Sequence, residues 1–304
     1  MQSTICSRQN SKINLKRRVA FNKLYSESKM ITNIKLLFMF IIGLIYLSYD
    51  VCLMFNVNLL QISYVSFVAP FLSIFFTIID NLFLKKLIKE KIEIAVLIQE
   101  EFDCDVLNIQ VNPLKYQNMG DYLLNKKYDN KLTDSQKNWY GTSLDNVTES
   151  VATLIAQKIN VFWEKGLNER FIRLLKIILI ITIFLIGINV IITWNYDLKN
   201  ILYGIFSFIY TLNLFLDIYN TNLSFLQINN KINNYLDDIW NKILKNEQIN
   251  LDIVIRQIQD ELFNYRLNTF LIPDWFYKSY KQNDEAQSKI LVRKMICEYN
   301  NRNN

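Results

Sequence analysis

The stretch Leu59–Asp80, LLQISYVSFVAPFLSIFFTIID, decides how the chain folds. As a helix rising about 1.5 Å per residue, its roughly 20 mostly apolar residues are enough to cross a hydrocarbon layer of about 30 Å. The polar, small or helix-perturbing residues recur at spacings of three and four, so they share a sector of about 100°. They are Ser63, Ser66, Pro70, Ser73, Thr77 and Asp80. The stretch predicts a membrane helix with one apolar side and one mildly polar side.

Three further apolar runs complete two pairs. The first pair is residues 36–55 and 59–79, and the second is residues 174–194 and 201–219. The connections between the members of each pair are so short that each pair must form a hairpin. The sequence therefore predicts an all-α membrane protein with two transmembrane helical hairpins, which give four spans.

Basic residues lie on one side of these spans. They are the N-terminal arm with Lys35, then Lys85, Lys86, Lys89 and Lys91, and later Lys165, Arg170, Arg173 and Lys176. The two short loops carry one lysine, Lys199. The positive-inside rule then places both termini and the middle segment in the cytoplasm. About 30 residues precede the first apolar run, which excludes a secretory signal peptide.

The helical pattern continues outside the apolar runs. It extends over 80–102 and 150–173, and further helices are expected at about 221–244, 251–268 and 273–298, with Pro273 at a first helical position. Residues 103–145 are expected to be irregular, with a short extended piece at 106–111.

The predicted organisation has five parts. They are a basic cytoplasmic N-terminal arm (1–35), the first hairpin (36–79), a cytoplasmic helical region (80–173), the second hairpin (174–219) and a C-terminal cytoplasmic helical region (220–304).

Composition excludes several kinds of chemistry. The hydrophobic fraction is 51% and the charged fraction 20%, a mixture that suits a protein partly in membrane and partly in water. The chain has no histidine, which removes imidazole bases, Ser-His-Asp triads and histidine metal sites. The four cysteines form no CxxC pair, and the six glycines form no phosphate-binding loop. We expect neither an enzyme nor a cofactor.

All four spans carry mildly polar faces, which supply candidates for lining a pore. The candidates are Ser63, Ser66, Ser73, Thr77, Asp80, Asn189, Tyr210, Asn213 and Asp217. One interpretation is that such residues pack and hydrogen-bond inside a single closed bundle. The other is a water-filled path, formed when several chains pair these faces around an axis. Asp80 and Asp217 lie close enough to a span end to sit in the headgroup layer instead.

Outside the spans, three groups of residues admit a functional interpretation. The carboxylates of Glu100, Glu101, Asp103 and Asp105 favour a solvated helix end over a cation site, because no calcium-loop spacing is present. The aromatic rings of Trp139, Tyr140 and Trp163 favour packing over stacking on a nucleotide. Arg256 and Arg266 can pair with phosphates, but no spacing makes this specific.

Five short segments together resemble a known family. They are Arg8-Gln9-Asn10, Leu24-Tyr25-Ser26, QEEFDCDVL at 99–107, QKINVFWE at 157–164 and IPDWFY at 272–277. In this order, and with the two-hairpin layout, the chain resembles the SMODS-associating four-transmembrane (S-4TM) effectors, a bacterial family described as pore formers. The chain departs from the family pattern at Lys158 and Glu164, where arginine and aspartate are expected.

The resemblance implies a role in antiphage defence through cyclic-oligonucleotide signalling (CBASS). A cGAS/DncV-like nucleotidyltransferase would make a cyclic oligonucleotide on infection. The effector would respond by forming a homo-oligomer and permeabilising the bacterial inner membrane, which causes abortive infection. The partners expected are therefore the lipid bilayer, further copies of the chain and this nucleotide, and not a nucleic-acid polymer. A constitutive ion channel or transporter, and a membrane-anchored sensor without pore activity, remain alternatives.

Overall fold

The computed structural model describes residues 4–55, 63–115, 119, 137–194 and 198–302. Within these ranges the chain forms helices and turns and no strand, so the predicted all-α class is confirmed. The helices are α1 (Ile5–Gln9), α2 (Lys12–Met54), α3 (Ser63–Ile79), α4 (Lys85–Leu107), α5 (Glu149–Thr193), α6 (Leu198–Leu244), α7 (Leu251–Leu267) and α8 (Asp274–Asn301). A π-turn, Asp80–Leu84, joins α3 to α4, and a short 3₁₀-helix, Thr142–Asn146, precedes α5.

Four stretches of helix are long and apolar enough to cross a membrane. Among the described residues they are Lys12–Tyr49, Phe67–Leu107, Glu149–Thr193 and Ile201–Leu244. Each overlaps one of the four apolar runs and continues well beyond it at the end away from the short loops. By length and composition, the four predicted spans are confirmed.

Three helices are very long, since α2 has 43 residues, α5 has 45 and α6 has 47, and α5 follows the extension expected over residues 150–173. At about 1.5 Å per residue each is about 65–70 Å long. The break expected near residue 220 is absent, because α6 runs from Leu198 to Leu244 without interruption. No glycine or proline occurs between Gly204 and Pro273, so nothing in the sequence interrupts the helix there.

Asparagine ends two of the helices. Asn108 and Asn246 both have positive φ angles, of 52° and 59°. In each case the next residue donates its amide to the carbonyl five residues back, as in a Schellman motif: Ile109 to Cys104 at 2.9 Å, and Glu247 to Lys242 at 3.0 Å. The extended piece predicted at 106–111 is therefore wrong, because α4 continues to Leu107 and the residues after it form no strand.

The chain divides into two compact units. The large unit comprises residues 1–28, 90–169 and 224–304, and the membrane unit comprises residues 29–89 and 170–223. The core of the large unit draws on the N-terminal segment, α4, α5, α6, α7 and α8, with fully buried side chains such as Ile98, Leu154 and Ile258. The smaller core of the membrane unit contains Tyr46 and Phe208.

Candidate functional site

In the membrane unit, Ser73 of α3 and Tyr210 of α6 lie inside the bundle of one chain. Ser73 is fully buried, and its Oγ accepts a 3.0 Å hydrogen bond from the backbone amide of Tyr210. The Tyr210 side chain is also buried. The opposite side of α3 carries exposed phenylalanines, Phe67, Phe71 and Phe75, which suit contact with lipid. We call the buried and half-buried polar side chains of the spans in this unit the polar seam.

The hydroxyl groups of the seam bond mostly within their own helices. Thr77 donates to the Ser73 carbonyl at 2.8 Å, and Ser207 donates to the Tyr203 carbonyl at 2.8 Å. Thr193 does the same to the carbonyl of Asn189 at 2.7 Å. Bonds to the carbonyl four residues earlier satisfy a hydroxyl without a partner on another helix. The seam is therefore polar but has few hydrogen bonds that tie one helix to the next.

A close approach between α5 and α6 depends on a glycine. Asn189 is fully buried, and a Cβ atom built on Gly204 would lie 1.8 Å from its Oδ1. Only glycine leaves room for the Asn189 amide at this point.

Asp80 forms a buried ion pair that the sequence did not predict. Its Oδ1 lies 2.5 Å from the Nζ of Lys35 on α2, and both side chains are at most 7% exposed. From the sequence, membrane topology alone explains the charge of Lys35, and its ion pair with Asp80 is not predicted. The only sequence signal was one lysine and one aspartate, each at the same end of two successive spans.

A second ion pair lies nearby along α4. Lys85, the first residue of α4, contacts Asp217 of α6, and both side chains are partly exposed. The two pairs connect α2 to the π-turn and α4 to α6 within the membrane unit.

The candidates for pore lining thus fall into three groups. Ser73, Asp80, Asn189 and Tyr210 are buried inside the membrane unit. Thr77, Asn213 and Asp217 are half-buried. The side chains of Ser63 and Ser66 lie outside the described part of the chain. The pore-lining role of these residues stays a prediction.

In the large unit, Arg8-Gln9-Asn10 binds the segment before α5. Gln9 donates to the Tyr140 carbonyl at 3.0 Å and accepts from the Tyr140 amide at 2.8 Å. Asn10 exchanges a similar pair of bonds with Asn138, and Arg8 donates to the Val106 carbonyl at 2.8 Å. We call these contacts the N-terminal clamp. It gives a physical role to the first of the segments that carry the family resemblance.

Glu100, Glu101 and Asp103 of α4 are buried, so the solvated helix end predicted for these three residues is wrong. Glu100 lies 2.8 Å from Arg256, and Asp103 lies 2.5 Å from Arg266. Gln259 donates to both carboxylates. Glu100 and Asp103 are three residues apart, so they share the helix face that packs on α7, which supplies the arginines. Arg256 and Arg266 therefore pair with carboxylates of α4.

Glu101 and Asp105 belong to the same region of α4 and pair with the N-terminal segment. Arg17 lies 3.3 Å from Glu101, which is buried, and 2.9 Å from Asp105, which is exposed. The four carboxylates thus differ in burial, and none of them gathers with the others into a cation site. Across the described ranges, no group of three or more acidic or cysteine side chains is arranged to hold a metal ion.

A buried carboxyl group lies beside the Asp103–Arg266 pair. Glu164 is half-buried as a residue, but its Oε2 is buried and has no hydrogen-bond partner. Burial raises the pKa of Glu164 to about 7, against the lowering effects of the Arg266 charge and a hydrogen bond with Tyr265. Burial alone would lower the pKa of Arg266, but the charges of Asp103 and Glu164 raise it above its ordinary value.

The two tryptophans that were considered for nucleotide stacking have partners within the chain. Trp163 donates to the Ser288 hydroxyl at 2.7 Å, and its ring contacts that of Tyr277. The Arg18 guanidinium lies 4.6 Å from the ring centre of Trp139, which is itself half exposed. Packing is thus the role that the structure supports for Trp163.

An open cleft of about 900 Å³ lies between the N-terminal segment, the end of α4 and the start of α5. Its charged lining consists of Arg8 and Arg17 together with four carboxylates, those of Glu101, Asp105, Asp145 and Glu149. Arg8 is already bound to Glu149 at 2.7 Å, as Arg17 is to Asp105. An anionic ligand would have to displace these carboxylates, so the cleft is not a preformed phosphate site.

The sequence profile of one family matches nearly the whole chain. It is the profile of the SMODS-associating 4TM effector domain, and it matches residues 3–295. No curated protein and no solved structure matches the chain.

Proposed function

Because the chain belongs to the SMODS-associating 4TM effector family, we propose that it is a membrane effector activated by a nucleotide second messenger. A cGAS/DncV-like nucleotidyltransferase makes a cyclic oligonucleotide on phage infection. The effector then permeabilises the bacterial inner membrane, and the infected cell dies or stops growing. Assembly of several copies supports the open state.

The orientation in this proposal follows from charge. The lysines and arginines that flank the spans lie at the ends nearer the termini and the middle segment, and Lys199 is the one basic residue in the two short loops. With both termini in the cytoplasm, the large unit meets a nucleotide made in the cytoplasm.

One observation supports coupling between ligand and membrane most strongly. The helices α2, α5 and α6 each run without a break from the core of the large unit into the membrane unit. A change in how these helices pack in the large unit is therefore carried into the spans by continuous, rigid elements. Shifting the open population from about 1% to 99% needs a difference in ligand affinity worth about 5.5 kcal/mol, which oligomerisation can help to supply.

The proposal is tested with purified protein in liposomes loaded with K⁺ and calcein. The nucleotides added are cyclic di-AMP, cyclic di-GMP, cyclic GMP-AMP and cyclic tri-AMP, with linear AMP as the control. We expect K⁺ efflux with at least one cyclic nucleotide and none with AMP. Equal efflux without any nucleotide would support a constitutive channel instead. Nucleotide binding without efflux would support a sensor that forms no pore.

A further inference from the structure

The buried pair of Lys35 and Asp80 lies at one end of the polar seam. Seven residues, or about two helical turns, separate Asp80 from Ser73 on α3, and the same spacing separates Asp217 from Tyr210 on α6. Ser73 and Tyr210 hydrogen-bond directly between these helices. The ion pairs therefore lie about two helical turns from this bond, on the same faces of the two helices.

The π-turn orients both ion pairs. The amide of Lys85 donates to the carbonyl of Asp80, five residues earlier, in the π-turn geometry. In an α-helix two residues five apart point about 140° away from each other. Closing the turn between residues i and i+5 instead places them nearly one above the other. Asp80 and Lys85 can then face Lys35 and Asp217 from nearly the same side of the helix.

Stability alone is a weak reason for a buried ion pair. The desolvation of two charges offsets much of their attraction, and apolar side chains of similar size are often as stable or more so. π-turns also recur at functional positions in helices. The combination points to a role in switching.

Resting on the proposed function, we propose that the polar seam of a single chain is a path for small monovalent cations, and that Lys35 closes it. The Lys35 ammonium group occupies the place beside the Asp80 carboxylate that a permeating cation would take. Activation moves Lys35 away from Asp80, and the carboxylate then attracts the cation. Beyond it, the hydroxyl oxygens of the seam supply the kind of ligand that hard cations prefer. The space between four helices of one chain admits ions and excludes a dye such as calcein.

Substitutions of Lys35 and of Asp80 should change K⁺ efflux in opposite directions. Lys35→Gln removes the tethered cation and leaves the Asp80 carboxylate to attract K⁺, so we expect nucleotide-independent K⁺ efflux to rise about tenfold or more, because an uncompensated charge lining a path raises the local concentration and entry rate of counter-ions by at least that factor. Asp80→Asn leaves the lysine in place and removes the attracting charge. We expect it to stay closed without nucleotide and to lose most of the stimulated efflux. Lys35→Arg should behave as the unmodified protein does.

The experiment measures K⁺ and calcein release from liposomes containing each variant, with and without the cyclic nucleotides named above. Lys23→Gln is the matched control, since it removes a lysine from the same helix at an exposed position, where the Nζ atom lies 3.8 Å from the Glu27 carboxylate. Circular dichroism and size-exclusion chromatography in detergent confirm folding. Lys35→Met serves as the second variant if glutamine prevents reconstitution.

A merely structural ion pair would make the two partners behave alike, so equal effects of Lys35→Gln and Asp80→Asn would overturn the inference. So would a silent Lys35→Gln in a preparation whose unmodified protein responds to nucleotide. If Lys35→Gln conducts K⁺ and the unmodified protein responds to none of the nucleotides, closure by Lys35 is supported and activation by a cyclic nucleotide is contradicted. If neither protein conducts K⁺, both proposals are contradicted.

Discussion

Burial of charge decides which single residues in the large unit tolerate change. Asp103 and Arg266 are both at most 5% exposed and lie 2.5 Å apart, whereas Asp105 is 47% exposed beside Arg17. If one partner of the Asp103–Arg266 pair is removed, water cannot reach the remaining charge. At the exposed Asp105–Arg17 pair, water can replace the lost partner. Two aspartates in the same helix turn therefore have different energetic weight.

We predict that Asp103→Asn lowers the free energy of unfolding by about 3–5 kcal/mol, because it leaves the Arg266 charge buried without its counter-ion. The exposed control, Asp105→Asn, should cost less than about 1 kcal/mol. Chemical denaturation in detergent, followed by circular dichroism, measures both. Equal losses for the two variants would contradict this interpretation.

The raised pKa of Glu164 predicts a pH dependence of stability. Its pKa is about 7 in the folded chain and 4.5 in a model peptide, so between these values the folded state binds more protons than the unfolded state. The contribution of Glu164 to stability therefore falls as pH rises from about 4.5 to 7, and changes little above that range.

The matched variant is Glu164→Gln, which cannot ionise. We expect the melting temperature of the unmodified protein, relative to that of the variant, to decrease between pH 5 and 7 and then to level off. A difference that stays constant over this range would contradict a pKa of about 7 for Glu164.

At the scale of helices, two contacts depend on small details of sequence. Gly204 lets α6 approach the Asn189 amide of α5, whereas a Cβ added at Gly43 would meet nothing within 4 Å. The N-terminal clamp depends on Gln9, which satisfies both backbone groups of the buried residue Tyr140.

Gly204→Ala should lower stability by about 1–3 kcal/mol, since the added methyl group overlaps Asn189 in a packed interior. Gly43→Ala should be neutral or slightly stabilising, because alanine favours helix over glycine. Thermal unfolding in detergent compares the two. A tolerated Gly204→Ala would show that the Asn189 side chain moves away at little cost.

Gln9→Ala should remove protection of the Tyr140 amide from hydrogen exchange, because the donor and acceptor lose their buried partners. The amide of Leu154, in the core of α5, should exchange as before. Exchange followed by mass spectrometry reports both, and an unchanged Tyr140 amide would contradict the clamp.

At the scale of the whole molecule, the features that the sequence predicts are those that depend on a local pattern of apolar residues. Four spans follow from hydropathy and length, and the helices continue beyond the spans because the apolar period continues. The sequence did not predict the partners of charged residues. Lys35 and Asp80 are 45 residues apart, and Asp103 and Arg266 are 163 apart, so no local spacing relates them.

Two local features were missed for other reasons. The π-turn at Asp80–Leu84 has no composition that distinguishes it from an α-helix. Carboxylates are rarely buried without a partner, and the arginines of α7 that pair with Glu100 and Asp103 are far away in the sequence. A lysine at the end of a span is already explained by membrane topology, so the sequence gives no reason to expect that Lys35 pairs with a carboxylate.

We propose that this chain arrests growth by making the inner membrane conduct ions. The most direct measurement follows the membrane potential of cells that express the chain together with an active cGAS/DncV-like nucleotidyltransferase, using a potential-sensitive dye and cell density in the same culture. We predict that depolarisation precedes growth arrest, and that neither occurs with a catalytically inactive nucleotidyltransferase. Growth arrest at a normal membrane potential would contradict the claim.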